Sequence, residues 1–113
     1  ESTWVVVELG DNTRAETLKQ FHGGYEQLLA AAKGAKLACL STWWDNNSLD
    51  AKLKNLCENN GGRYVYIGDI HRSPANPDKR SGPQYANASV NDHPHDWGMA
   101  RIAERVVAAL SER

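Results

Sequence analysis

Two polar clusters far apart in the chain hold the residues best suited to chemistry. Gly10-Asp11-Asn12 directly follows the apolar run Val5-Val6-Val7, and Asp92-His93-Pro94-His95-Asp96 directly precedes a helical stripe. A histidine in a turn that feeds a helix can act as a general base, and an asparagine just past a buried strand can donate a hydrogen bond to an oxyanion. Such groups collect where the strands of an open α/β sheet give way to helices. The third requirement of acyl transfer, a nucleophile, is missing from these clusters. Ser41 is the only serine at a strand end, and no glycine elbow surrounds it. Two histidines and an aspartate at this spacing also suit a metal, but beyond Asp69 or His71 no further ligand group is evident, and zinc sites want three or four. Trp43 and Trp44 stand side by side at a strand end and cannot both point inward, so one of them is expected to line the cleft. Plainer roles exist for the same residues: Asn12 as a turn or cap residue, His93 and His95 as surface loop residues.

These clusters need elements to position them, and the chain alternates strand and helix patterns three times. Trp4 to Leu9 is β-branched and apolar, as a strand buried on both faces is. Thr13 and Glu16 form an S/T-x-x-E capping box, after which Leu18, Phe21, Tyr25, Leu28, Leu29 and Ala32 recur at helical spacing up to Gly34. Gly23-Gly24 weakens that helix in its middle, and His22 lies on its solvent face. Lys36 to Thr42 reads as the second strand. Asn46-Asn47-Ser48 caps a helix that carries Leu49, Leu53 and Leu56 on one face, and Asn59-Asn60-Gly61-Gly62 stops it. Arg63 to Ile70 reads as the third strand, with Val65 and Ile67 on one side and Tyr64 and Tyr66 on the other. A long Ser/Pro/Asn/Gly-rich loop runs from His71 to about Asn91, and loops of that length are often functional. The last helix begins near Asp96 with the stripe Met99, Ile102, Ala103, Val106, Val107 and Leu110.

Strand, helix, strand, helix, strand, loop, helix implies an α/β fold with a parallel sheet. Three strands make a narrow sheet, and the first is apolar enough to call for neighbours on both sides, so a segment upstream of Glu1 or from another chain is expected to complete it. At 113 residues and a net charge of −1, with basic and acidic residues interspersed, the chain offers no nucleic-acid surface. No apolar run is long enough to span a bilayer, and the first residues lack the pattern of a signal peptide. Secreted, periplasmic and cytoplasmic locations all remain open. Cys39 and Cys57 are too few for a zinc framework and are read as two small core residues, with a single disulfide as the alternative.

Gly10-Asp11-Asn12 after an apolar strand, and His93-Pro94-x-Asp96-x-Gly98-Met99 leading into Ile102-Ala103, resemble the third and fifth sequence blocks of the SGNH (GDSL-type) hydrolases. The resemblance covers essentially the whole chain, including the Thr42-Trp43-Trp44 turn. It implies a flavodoxin-like α/β/α domain of which residues 1–113 are the C-terminal portion, the first strands and the Gly-Asp-Ser block lying outside this chain. It implies a serine esterase acting on small or carbohydrate-linked esters without a cofactor. His93 would be the base, Asn12 an oxyanion-hole donor, and Gly10, Trp43 and Trp44 would line the substrate site. The partner would be an N-terminal companion segment or chain carrying the serine, with no nucleic acid or membrane involved. Two departures stand out. Thr13 replaces the family's Asp after Asn12, and Val90 occupies the position of the Asp that orients the histidine. Asp92 beside His93, a pairing of Asp92 with His95 as alternative base, or a backbone carbonyl are the substitutes. The competing class is a non-catalytic binding module, either an inactive relative or a flavodoxin-like receiver. A different alignment makes Gly10-Asp11-Asn12 the nucleophile block itself, with Asn in place of Ser, which would describe a dead or engineered enzyme.

Overall fold

The computed structural model describes residues 3–77, 86, 90 and 92–111. Three strands, β1 (Trp4–Val7), β2 (Lys36–Leu40) and β3 (Arg63–Val65), form a parallel sheet in the order β1-β2-β3. Val5 pairs with Leu37 and Val7 with Cys39, while Leu40 pairs with Val65. Helices α1 (Leu18–Ala31), α2 (Asn47–Asn59) and α3 (Asp96–Ser111) complete the elements, with a 3₁₀ turn at Ala15–Thr17 leading into α1. The alternating pattern of the sequence therefore produces the α/β architecture it implies, because parallel neighbours need crossover connections longer than a hairpin.

Side chains alternate across β2 and feed two cores. Leu37 and Cys39 join Val7, Tyr25, Leu29, Leu49, Leu53 and Cys57 beneath α1 and α2. Leu40 joins Val65, Ile67, Ile70 and Trp43, against which Trp97, Ile102, Val106 and Ala109 of α3 pack. β2 and β3 are covered on both faces, Tyr64 of β3 packing against the first core and Val65 lying in the second. Val6 of β1 is 44% exposed, so the strand expected to be buried on both faces is buried on one.

Several sequence expectations shift in detail. The entry to α1 is closed not by Thr13 and Glu16 but by Thr17, whose Oγ1 accepts from the Arg14 backbone N–H at 3.3 Å and donates to the Arg14 carbonyl at 3.1 Å. The hydroxyl used lies four residues later than expected, Thr13 being engaged in the turn with Gly10. The helix runs unbroken through Gly23-Gly24, carried by Tyr25 and Leu29, whereas Leu28 faces outward and is 40% exposed. Asn46 caps α2 as expected, its Oδ1 accepting from Leu49 N–H at 3.2 Å. β3 is shorter than the apolar run suggests: beyond Val65 the ladder stops and the Ser41 Oγ accepts the Ile67 N–H at 2.8 Å in place of a backbone carbonyl. Tyr66 is consequently exposed rather than packed beside Tyr64. Cys39 and Cys57 form a disulfide joining β2 to α2, their Cα atoms 6.1 Å apart, so the alternative to two free core thiols is the one realised. Apolar neighbours such as Ala38, Leu40 and Leu56 hid this, since a half-cystine and a free core cysteine have the same apolar surroundings. Most of the expected His71–Asn91 loop lies outside the described residues.

Candidate functional site at the C-terminal ends of the strands

The chain leaves β1 through Glu8-Leu9-Gly10-Asp11-Asn12. Gly10 has φ +114°, a backbone conformation that favours glycine, and a Cβ there would lie 3.3 Å from Leu49 Cδ2 and from Phe21 Cζ. The turn closes with Thr13 N–H donating to the Gly10 carbonyl at 3.0 Å. Asp11 then reaches across to β2, its Oδ1 accepting the Trp43 backbone N–H at 2.6 Å. The Glu8 carboxyl lies against Asp11. A hydrogen bond between the two, burial, and the charge of Asp11 together raise its pKa from 4.5 to about 8, so at neutral pH the pair holds a proton. Asn12 is exposed beside them, at a depression of about 470 Å³ also bordered by Glu8, Thr17, Gln20 and Phe21.

β2 ends in Ser41-Thr42-Trp43-Trp44, and this segment is fixed from below. The Thr42 backbone N–H and hydroxyl donate to the two carboxylate oxygens of Asp50 at 2.7 and 3.1 Å. Asp50 sits in the first turn of α2 and is buried. Burial raises its pKa, opposed by the two hydrogen bonds from Thr42. Ser41 is wholly buried and its hydroxyl is engaged with Ile67 N–H and the Thr42 carbonyl, which makes it a structural residue rather than a nucleophile. The two tryptophans divide as their adjacency requires. Trp43 is 4% exposed and belongs to the core under α3, while Trp44 is 38% exposed at the sheet end. Asp45 follows with φ +58°, accepting from the Tyr66 hydroxyl and pairing with Arg72.

The histidine turn is attached to the same dipeptide. The Trp43 indole N–H donates to the Asp92 carbonyl at 2.8 Å, and the Trp44 ring meets the His93 ring edge to face, centroids 5.1 Å apart at 86°. Within the turn His93 N–H donates to the Val90 carbonyl at 3.1 Å, and the His95 Nε2 lies 3.3 Å from that same oxygen. The His95 carbonyl accepts from Met99 N–H at 2.8 Å, so this residue caps α3. Gly98 is needed for close approach: a Cβ there would stand 3.2 Å from both Pro94 Cβ and Trp43 Cη2. His71, a possible metal ligand from its sequence position, packs at a tilt of 49° against Trp43, with centroids 5.4 Å apart. Among the described residues no group of three or more His, Cys, Asp or Glu side chains is placed to hold a metal ion.

Gly10, Trp43, Trp44, Asp92 and His93 are therefore brought into one connected chain of contacts, with Asn12 on the turn that begins it. His95 is turned to the backbone of its own loop. The depression at Asn12 is bordered by no residue of the histidine turn. Glu8 and Asp50 are polar residues of the site that patterning passed over, and Asp11, though inside the Gly10–Asn12 cluster, had no role assigned by it. An acid immediately after a strand-end glycine was the available signal for Asp11, whereas Asp50 looks like any first-turn helix acid. Compared with known proteins, the chain matches no family model, no curated protein and no solved structure.

Proposed function

We propose that this chain is the C-terminal part of a flavodoxin-like domain of SGNH type and acts as a serine ester hydrolase, its nucleophile coming from a segment outside these residues. The observation that carries the reading is the convergence of the turns after β1 and β2 with the turn that enters α3, through Asp11–Trp43, Trp43–Asp92 and Trp44–His93. Parallel α/β sheets gather their reactive groups at this end. His93 would take the serine proton as the hydroxyl oxygen attacks the ester carbonyl. Asn12 would donate its side-chain N–H to the oxyanion of the tetrahedral intermediate. Collapse of that intermediate breaks the bond to the leaving alcohol, which receives the proton from His93, and water then releases the acid by the same steps. Helices on both faces of the sheet support the flavodoxin-like assignment.

The test is hydrolysis of an activated ester by the chain joined to its serine-bearing segment. His93→Ala is expected to lower kcat by about three orders of magnitude, and His95→Ala far less. Equal activity of wild type and His93→Ala would remove the base from this residue. A complete absence of turnover in the wild type would favour a non-catalytic binding module.

A further inference from the structure

The Trp43-Trp44 dipeptide touches both halves of the site while belonging to neither. Its backbone is held by the Asp11 carboxylate of the β1 turn at 2.6 Å. Its first indole holds the Asp92 carbonyl of the histidine turn at 2.8 Å, and its second ring packs edge to face on His93. The dipeptide is itself anchored. Asp50 grips Thr42 immediately before it, and the Trp43 ring is wedged in the core against the surface left open by Gly98. The geometry points to Trp43 and Trp44 as positioning residues: a clamp that holds the Gly10–Asn12 turn and the His93 turn in a fixed relation, with Trp44 setting the plane of the imidazole. Its catalytic consequence rests on the hydrolase reading above; its structural content does not.

The chemistry behind the proposal is orientation. A base contributes only when its nitrogen lies within hydrogen-bond reach of the proton it takes, and displacement by about 1 Å can cost up to about a hundred-fold in rate. Exposed turns such as 92–95 do not keep that precision unaided. A buried indole donor on the backbone and an aromatic edge on the ring restrict both the turn's position and the imidazole's rotation. The Glu8–Asp11 carboxyls tie the oxyanion side to the same anchor.

The experiment follows the His93 imidazole resonances and the His93 amide exchange rate by NMR in the full protein, alongside ester hydrolysis. Trp43→Phe keeps a smaller aromatic ring in the core and deletes the donor. It is expected to speed exchange of the His93 amide about ten-fold with core amides such as Leu29 and Leu53 unchanged, and to lower kcat about ten-fold at constant KM. Trp44→Leu is expected to displace the His93 ring resonances, and Trp44→Phe to restore them. His93 resonances and exchange identical to wild type in Trp43→Phe and Trp44→Leu would overturn the clamp, whatever the activity. If the wild type hydrolyses no ester yet the resonances move as described, the clamp stands and the hydrolase reading falls.

Discussion

At the residue scale, polar groups in half-buried positions separate what a side chain does for folding from what it does for chemistry. Glu8 takes its proton up on folding because Asp11 hydrogen-bonds and repels it. The folded pKa lies near 8 and the unfolded value at 4.5, so between these limits the native state holds a proton the unfolded chain has lost. The stabilisation is full below pH 4.5 and disappears as pH rises through about 8. Thermal midpoints of Glu8→Gln should accordingly fall less between pH 5 and about 8.5 than those of the wild type. Parallel pH curves for the two proteins would mean that the pair does not share a proton. Asn12 poses the same question with different numbers. As an oxyanion donor, its replacement by Ala should reduce kcat about a hundred-fold, near 3 kcal/mol, with KM little changed. As a turn residue it would cost about 1 kcal/mol of stability and leave turnover intact. The turn itself is closed by Thr13 N–H on the Gly10 carbonyl and the helix entry by Thr17, so those structural duties are met by other residues. Melting and kcat measured on one Asn12→Ala preparation decide between the two.

At the scale of elements, the sequence was most legible where one local rule had no competitor. Asn46 before an apolar 3–4 stripe caps α2, and the glycines after Asn59 end it, because both signals act within a single turn of chain. It was least legible where a distant partner decided the outcome. Ser41 ends β3 early by supplying its hydroxyl to Ile67, a contact across 26 residues, and Asp50 looks like an ordinary first-turn acid until Thr42 is seen above it. The Cys39–Cys57 bond belongs to the same class. It links residues 18 apart in sequence, tying β2 to the last turn of α2 within the core under α1 and α2. A cross-link of that span contributes about 3 kcal/mol in the chain-entropy account, which for a domain of this size is on the order of 10 °C in Tm. Cys39→Ala/Cys57→Ala should lose about that much in thermal unfolding, and reductant should lower the wild type to the same level while leaving the variant unaffected. Two titratable thiols in the unfolded, unreduced wild type would show that the bond is not formed.

At the scale of the whole molecule, burial is lopsided. The face of the sheet under α1 and α2 is closed, whereas on the α3 side Val6 stays 44% exposed. The stripe expected to bury α3 is itself only half used: Ile102 and Val106 pack on the sheet, but Met99 and Val107 remain 54% and 61% exposed. Among the described residues no strand pairs with the outer edge of β1. An unpaired apolar strand edge is a surface proteins normally cover, and a helix apolar on two sides is one that packs on two sides. A strand–helix unit would satisfy both at once, with its strand beside β1 and its helix across Val6, Met99 and Val107. That is the kind of segment the proposed hydrolase needs to bring its serine to Asn12 and His93. Burying each exposed side chain is worth roughly 1 to 2 kcal/mol. Val107→Glu together with Met99→Gln should therefore leave the melting of the chain within about 0.5 kcal/mol of wild type, since exposed sites carry little stability. The same pair should weaken association with the serine-bearing segment by at least about ten-fold in a titration followed by calorimetry, each 1.4 kcal/mol counting as a factor of ten. Unchanged affinity in the double variant would place the segment elsewhere, and would leave the exposed stripe of α3 without a role in assembling the site.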